Sequence, residues 1–94
     1  MKSDLNFDYP LLNGWSKDDI IKVSALYSSV AKAYEGGVEV DKLLNAYQGF
    51  KSVVTSKSEE KQLGRQFETT SEYSIYRTIQ AARQTNKKVL MMEA

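Results

Sequence analysis

The chain has 94 residues, 41% hydrophobic and 27% charged, with 13 lysines and arginines against 12 acidic residues for a net charge of +1. That is enough apolar material for one domain with one core over residues 1–94 and too little for two, while the near balance of charge argues for no particular class of partner. No histidine and no cysteine are present, which excludes disulfides, thiolate zinc sites and any Ser-His-Asp or Cys-His triad.

Residues 1–15 read as an extended lead-in, because Pro10 forces Tyr9 away from helical angles and Asn13-Gly14 is a turn dipeptide. The alternation of Leu5, Phe7 and Tyr9 also fits a short strand, although a lone strand without a partner does not persist. This segment carries two aspartates and no apolar run of signal-peptide length, and no stretch of about 20 apolar residues occurs anywhere. The expectation is a soluble, cytoplasmic protein without a membrane partner.

A first helix is predicted from Ser16, with serine as the cap, Asp19 as a short version of the capping-box acid, and Trp15 and Ile20 at the spacing of a hydrophobic staple. Its apolar face comprises Ile20, Val23, Tyr27, Val30 and Tyr34, widened by Leu26 and Ala33, and Gly36-Gly37 ends it. A second helix is predicted from about Val40 to Val54, capped by Glu39 or Asp41, with Leu43, Leu44, Tyr47, Phe50, Val53 and Val54 on one side. Gly49 inside it suggests close packing of a neighbour. The three core-face tyrosines, Tyr27, Tyr34 and Tyr47, should pack their rings inward and keep their hydroxyls at the edge.

A third helix opens at Ser56 with the capping box Ser56-x-x-Glu59, and Leu63 and Phe67 mark its buried side. Gly64 would admit another backbone there. At about 100° per residue, Ile75, Ile79 and Ala82 lie far around the wheel from Leu63 and Phe67, so one straight helix would carry its stripe off the core. A break at Thr69-Thr70-Ser71, with Ser71 capping a fourth helix from about Glu72 to Gln84, removes the conflict. The tail, residues 85–94, either docks through Val89, Leu90, Met91 and Met92 or is loose. The predicted fold is therefore all-α: a small up-and-down bundle of three to four helices with an extended lead-in.

No motif assigns a reaction. Gly36-Gly37 belongs to no phosphate-binding signature and follows a helix. Asp18-Asp19 and Glu59-Glu60 sit in first turns, where negative charge complements the helix dipole. Arg65 and Glu68 have the spacing of a surface ion pair. The fourth helix is more suggestive: Tyr73, Arg77, Gln80, Gln84 and Lys87 cluster opposite its apolar face, Tyr76 and Arg83 flank them, and residues 73 to 94 carry a local +3. Arginine and glutamine read base edges and tyrosine stacks, so a helix-turn-helix is one reading, although the characteristic turn glycine is replaced by TTS.

The stretch SKSEEKQLGRQFETTSEYSIYRT resembles a small bacterial family known as uncharacterised protein family (UPF) 0223, as do Tyr9-Pro10-Leu11, Trp15-Ser16, Ala46-Tyr47 and Phe50-Lys51. The resemblance spans nearly the whole chain and implies a small, helical, cytoplasmic protein without an established activity. Two departures from the family pattern are Thr55, where proline is frequent, and Glu72, where glycine is frequent. Gly64, Arg65, Phe67, Tyr73, Tyr76 and Arg77 match the motif and mark either a functional surface or the packing seam.

Together these readings predict a non-catalytic module that needs no cofactor and binds another macromolecule. Its candidate interaction surface is Arg65, Tyr73, Tyr76, Arg77, Gln80 and Arg83, in which tyrosine and arginine are the residue types enriched at binding hot spots. A protein partner is expected first, nucleic acid second, and self-association as a homodimer is left open.

Overall fold

The structure is a computed structural model and describes residues 14–93; the lead-in expected over residues 1–15 thus lies almost wholly outside the described residues. Four helices, α1 (Lys17–Glu35), α2 (Val40–Val53), α3 (Lys57–Ser71) and α4 (Ile75–Gln84), form a bundle with two short strands, β1 (Val38–Glu39) and β2 (Val89–Leu90). The all-α expectation holds, at four helices.

Ser16 caps α1 in a complete capping box: its hydroxyl accepts from the Asp19 amide at 3.1 Å, and its own amide donates to Asp19 Oδ2 at 3.1 Å. At Ser56 only half of the expected box forms, the hydroxyl accepting from the Glu59 amide at 3.3 Å. At the far end of α1, the amides of Gly36 and Gly37 both donate to the Lys32 carbonyl. Gly37 is required as glycine, because its φ is +124° and a Cβ there would stand 3.0 Å from Val89 Cγ1.

One core runs through the molecule. α1 supplies Val23, Leu26, Tyr27, Val30 and Ala33, α2 supplies Val40, Leu43, Tyr47 and Phe50, α3 only Leu63 and Phe67, and α4 Ile75, Ile79 and Ala82. The Tyr27 ring stacks on Phe67 with centroids 4.7 Å apart, so the aromatic contact ties α3 to α1. Burial pushes the Tyr27 hydroxyl far above its usual pKa. Gly49 does face a neighbour, since a Cβ there would meet Lys22 Cβ at 3.7 Å, whereas Gly64 admits no backbone: nothing lies within 4 Å of its would-be Cβ.

Of the two alternatives for the tail, the docked one is observed, and the position of the helix break is corrected. β2 pairs antiparallel with β1 in the register Val38 to Leu90 and Glu39 to Val89, the Met92 amide donates to the Ala33 carbonyl at 2.7 Å, and Leu90 is buried. Residues 56–84 are two helices, but the break falls at residues 72–74, three residues beyond Thr69-Thr70-Ser71. The hydroxyls of Thr69 and Ser71 donate to the carbonyls of Arg65 and Phe67, which satisfies them inside α3. The chain turns instead at Glu72, whose φ of +69° is left-handed, and Ser74 caps α4 by accepting from the Arg77 amide.

Candidate functional site

α3 is poor in apolar residues, and its flank toward α4 bears Lys57, Lys61 and Arg65 with Gly64 between them. Long solvated side chains and a missing Cβ cannot fill the space between two helices. The result is an open cleft of about 630 Å³ bounded by α2, α3 and α4.

Phe50, Ile75, Ile79 and the ring of Tyr47 give the cleft an apolar base, and Tyr76, 70% exposed, stands at its margin. Five cationic side chains line it, Lys51, Lys57, Lys61, Arg65 and Arg83, against two carboxylates, Glu60 and Glu68. The cleft is therefore more positive than the nearly neutral chain that carries it.

At its inner end the polar groups are tightly arranged. The Tyr47 hydroxyl donates to Glu60 Oε2 at 2.7 Å, while Glu60 Oε1 lies 3.5 Å from Lys51 Nζ. Lys51 Nζ and the Arg83 guanidinium carbon each lie 5.5 Å from the Tyr47 ring centroid, within cation–π range. Burial, then the hydrogen bond to Glu60 and its negative charge, push the Tyr47 hydroxyl up to about 12, with Arg83 pulling the other way. At neutral pH Tyr47 is thus a protonated hydrogen-bond donor that holds Glu60 in place. Glu60 does more than complement the first turn of α3.

Of the six residues predicted for an interaction surface, Arg65, Tyr76, Gln80 and Arg83 converge on this cleft. Gln80 Nε2 donates to the Tyr76 hydroxyl at 2.8 Å and steadies it. Arg77 is exposed but does not line the cleft. Tyr73 is not on the helix at all: it precedes the Ser74 cap, its ring stacks on Tyr34 at 4.5 Å, and its hydroxyl donates to Glu35 at 2.7 Å. It fastens the α3–α4 connection to α1. The predicted Arg65–Glu68 pair does not form; the salt bridges among the described residues are Lys42–Glu39 and Lys51–Glu60. Sequence reasoning assigned no site role to Tyr47, Lys51, Lys57, Lys61 and Glu60. The four-residue spacing of Lys57, Lys61 and Arg65 is the local signal that places three cations on one flank.

Residues 6–91 match the model of an uncharacterised protein family, UPF0223. The chain belongs to the UPF0223 family. It is 53% identical over 81 residues to a UPF0223 protein of Streptococcus pneumoniae strain CGSP14, covering 86% of this chain and 88% of that one. A UPF0223 protein of Streptococcus gordonii is 45% identical over 87 residues, covering 93% and 95% respectively. Since the UPF0223 family is uncharacterised, membership in it supplies no activity. Among the described residues, no helix is long and apolar enough to cross a membrane.

Proposed function

We propose that this UPF0223 protein is a non-catalytic, cytoplasmic protein-binding module and that its partner docks in the cleft between α2, α3 and α4. The observation that carries this reading is the cleft itself, whose lining joins exposed Tyr76 with Arg65 and Arg83 around an apolar base. Tyrosine and arginine around a desolvatable apolar centre are the usual composition of a binding hot spot. Affinity capture from the native cell with wild type, Tyr76→Ala, Arg65→Ala and Arg77→Ala tests it. Loss of the same partner from the two cleft variants, with retention by Arg77→Ala, is the expected outcome. Equal retention by all four removes the cleft from consideration.

The second reading is a helix-turn-helix-like nucleic-acid binder. It is favoured by the three-residue connection between α3 and α4 and by the exposure of Arg77, Gln80, Arg83 and Lys87. It predicts salt-dependent retardation of a generic duplex in gel shifts. No retardation at low salt with protein at roughly tens of micromolar, within the range of typical non-specific dissociation constants, would discard it.

A further inference from the structure

We propose that the cleft selects an acidic linear peptide segment, one that offers carboxylates to the α3 cations and an apolar side chain to the base between them. The proposal deepens the protein-binding reading and rests on it. The charge around the cleft is uncommitted: Lys57, Lys61 and Arg65 pair with no carboxylate among the described residues, and only Lys51 of the five cations has an acidic partner, Glu60. Burying a peptide against unpaired cations favours carboxylates at those points, because an apolar or basic ligand would desolvate the charges without compensation.

The spacing supports a peptide. Lys57, Lys61 and Arg65 stand on successive turns of α3, about 6 Å apart along the axis. Alternate residues of an extended chain are separated by about 6.6 Å, so carboxylates two residues apart reach successive cations while the residue between them faces the apolar base. Arg65 adds the planar fork that grips a carboxylate through two parallel hydrogen bonds.

The same features argue against a nucleic-acid strand in this cleft. Sequential stacking needs a series of free ring faces. Tyr47 is buried beneath Lys51 and Arg83 and packs on Phe50, which leaves Tyr76 as the one freely exposed ring of the lining.

Selection of short random linear peptides displayed on phage against the full chain, with counter-selection on Gly64→Leu, tests the proposal. The leucine grows into space where nothing lies within 4 Å of the Cβ position, so it occludes the cleft while leaving the helix intact, as circular dichroism would verify. The expected peptides are rich in Asp and Glu at alternate positions, lose binding to Gly64→Leu, and bind the Lys61→Glu, Arg65→Glu double variant at least about tenfold more weakly, a change near 1.4 kcal/mol. Peptides without acidic bias that still fail on Gly64→Leu would overturn the acidic class and leave a protein-binding cleft standing. Peptides that bind wild type and Gly64→Leu equally, or no enrichment at all, would sink the cleft and with it the protein-binding reading. A single-stranded oligothymidylate that displaces the selected acidic peptides at lower concentration than they bind would replace the peptide by nucleic acid.

Discussion

The two halves of the bundle solve the same packing problem differently. Among the described residues α1 and α2 share the most extensive interface, and each brings a continuous apolar stripe to it, with Gly49 letting Lys22 of α1 lie close against α2. α3 brings only Leu63 and Phe67, one turn apart, and beyond them it presents lysines, arginine and glycine. The first half closes on itself, whereas the second is pinned at one point and stands open along the rest of its length. A cleft of this kind needs no special loop; it follows from a helix whose apolar stripe is too short to fill the face it covers.

The sharpest way to break this contrast is Phe67→Ala. Phe67 is fully buried and stacked on Tyr27, so its removal should cost about 3–5 kcal/mol, a large part of the roughly 5–15 kcal/mol that stabilises a domain. Urea unfolding should show the midpoint falling steeply, and hydrogen exchange should show α3 losing protection before α1 and α2. Uniform loss of protection across all four helices would mean that the two halves are one cooperative unit.

Tyr47→Phe probes the point where α2 meets the cleft. It deletes the hydroxyl that donates to Glu60, and the loss should be about 1.5 kcal/mol, the lower end for a hydrogen bond to a charged group, because Lys51 still pairs with Glu60. The pH dependence has a definite sign. Tyr47 ionises at about 12 in the folded chain against an ordinary value of 10.0, so the folded state retains a proton that the unfolded chain gives up. Its contribution is complete below pH 10 and is lost as pH rises from 10 to about 12. Denaturant titrations across this window should show wild-type stability falling and the Tyr47→Phe variant falling less steeply. A residual slope should remain from Tyr27, which burial also holds above its usual range.

How far these features were legible in the sequence depends on whether their cause is local. Ser16, Ser56 and Gly36-Gly37 mark helix ends through contacts within a few residues, and the stripes of α1 and α2 repeat with the helical period, so both could be read directly. The β1–β2 ladder joins two-residue strands about fifty residues apart, too short to show any alternation. Thr78 looks polar on a helical wheel yet is fully buried, because its hydroxyl donates to the Ser74 carbonyl at 2.6 Å. Placing the turn at Thr69-Thr70-Ser71 treated hydroxyl residues as helix breakers, when back-bonding to α3 carbonyls lets them stay. The chain turns at Glu72, the one non-glycine residue among those described with a left-handed backbone. Four of the six surface residues meet in the cleft, but Tyr73 and Arg77 do not, because the cap at Ser74 shifts the start of α4 past Tyr73.

Glu72 provides the next prediction. A non-glycine residue in the left-handed region costs about 1–2 kcal/mol, part of which glycine returns through its greater freedom in the unfolded chain. Glu72→Gly should therefore raise stability by about 1 kcal/mol. Its side chain is exposed, so no contact is lost to obscure the result. A decrease in stability would show that the α3–α4 connection is held in some other conformation.

The smallest effects compare the halves most directly, through the two helix-interior glycines. Each replacement by alanine should gain up to about 1 kcal/mol from helix propensity alone. At Gly64 nothing lies within 4 Å of the new methyl, so propensity is the whole effect. At Gly49 the methyl would meet Lys22 Cβ at 3.7 Å and Cγ at 3.8 Å, ordinary contact distances that add a little dispersion energy. Gly49→Ala should thus equal or slightly exceed Gly64→Ala in thermal and urea unfolding. If Gly49→Ala instead destabilises the protein, the α1–α2 interface is already too tight to accept one carbon. The open and closed halves would then differ by more than the length of an apolar stripe, with glycine required for close packing on one side and only for an unfilled cleft on the other.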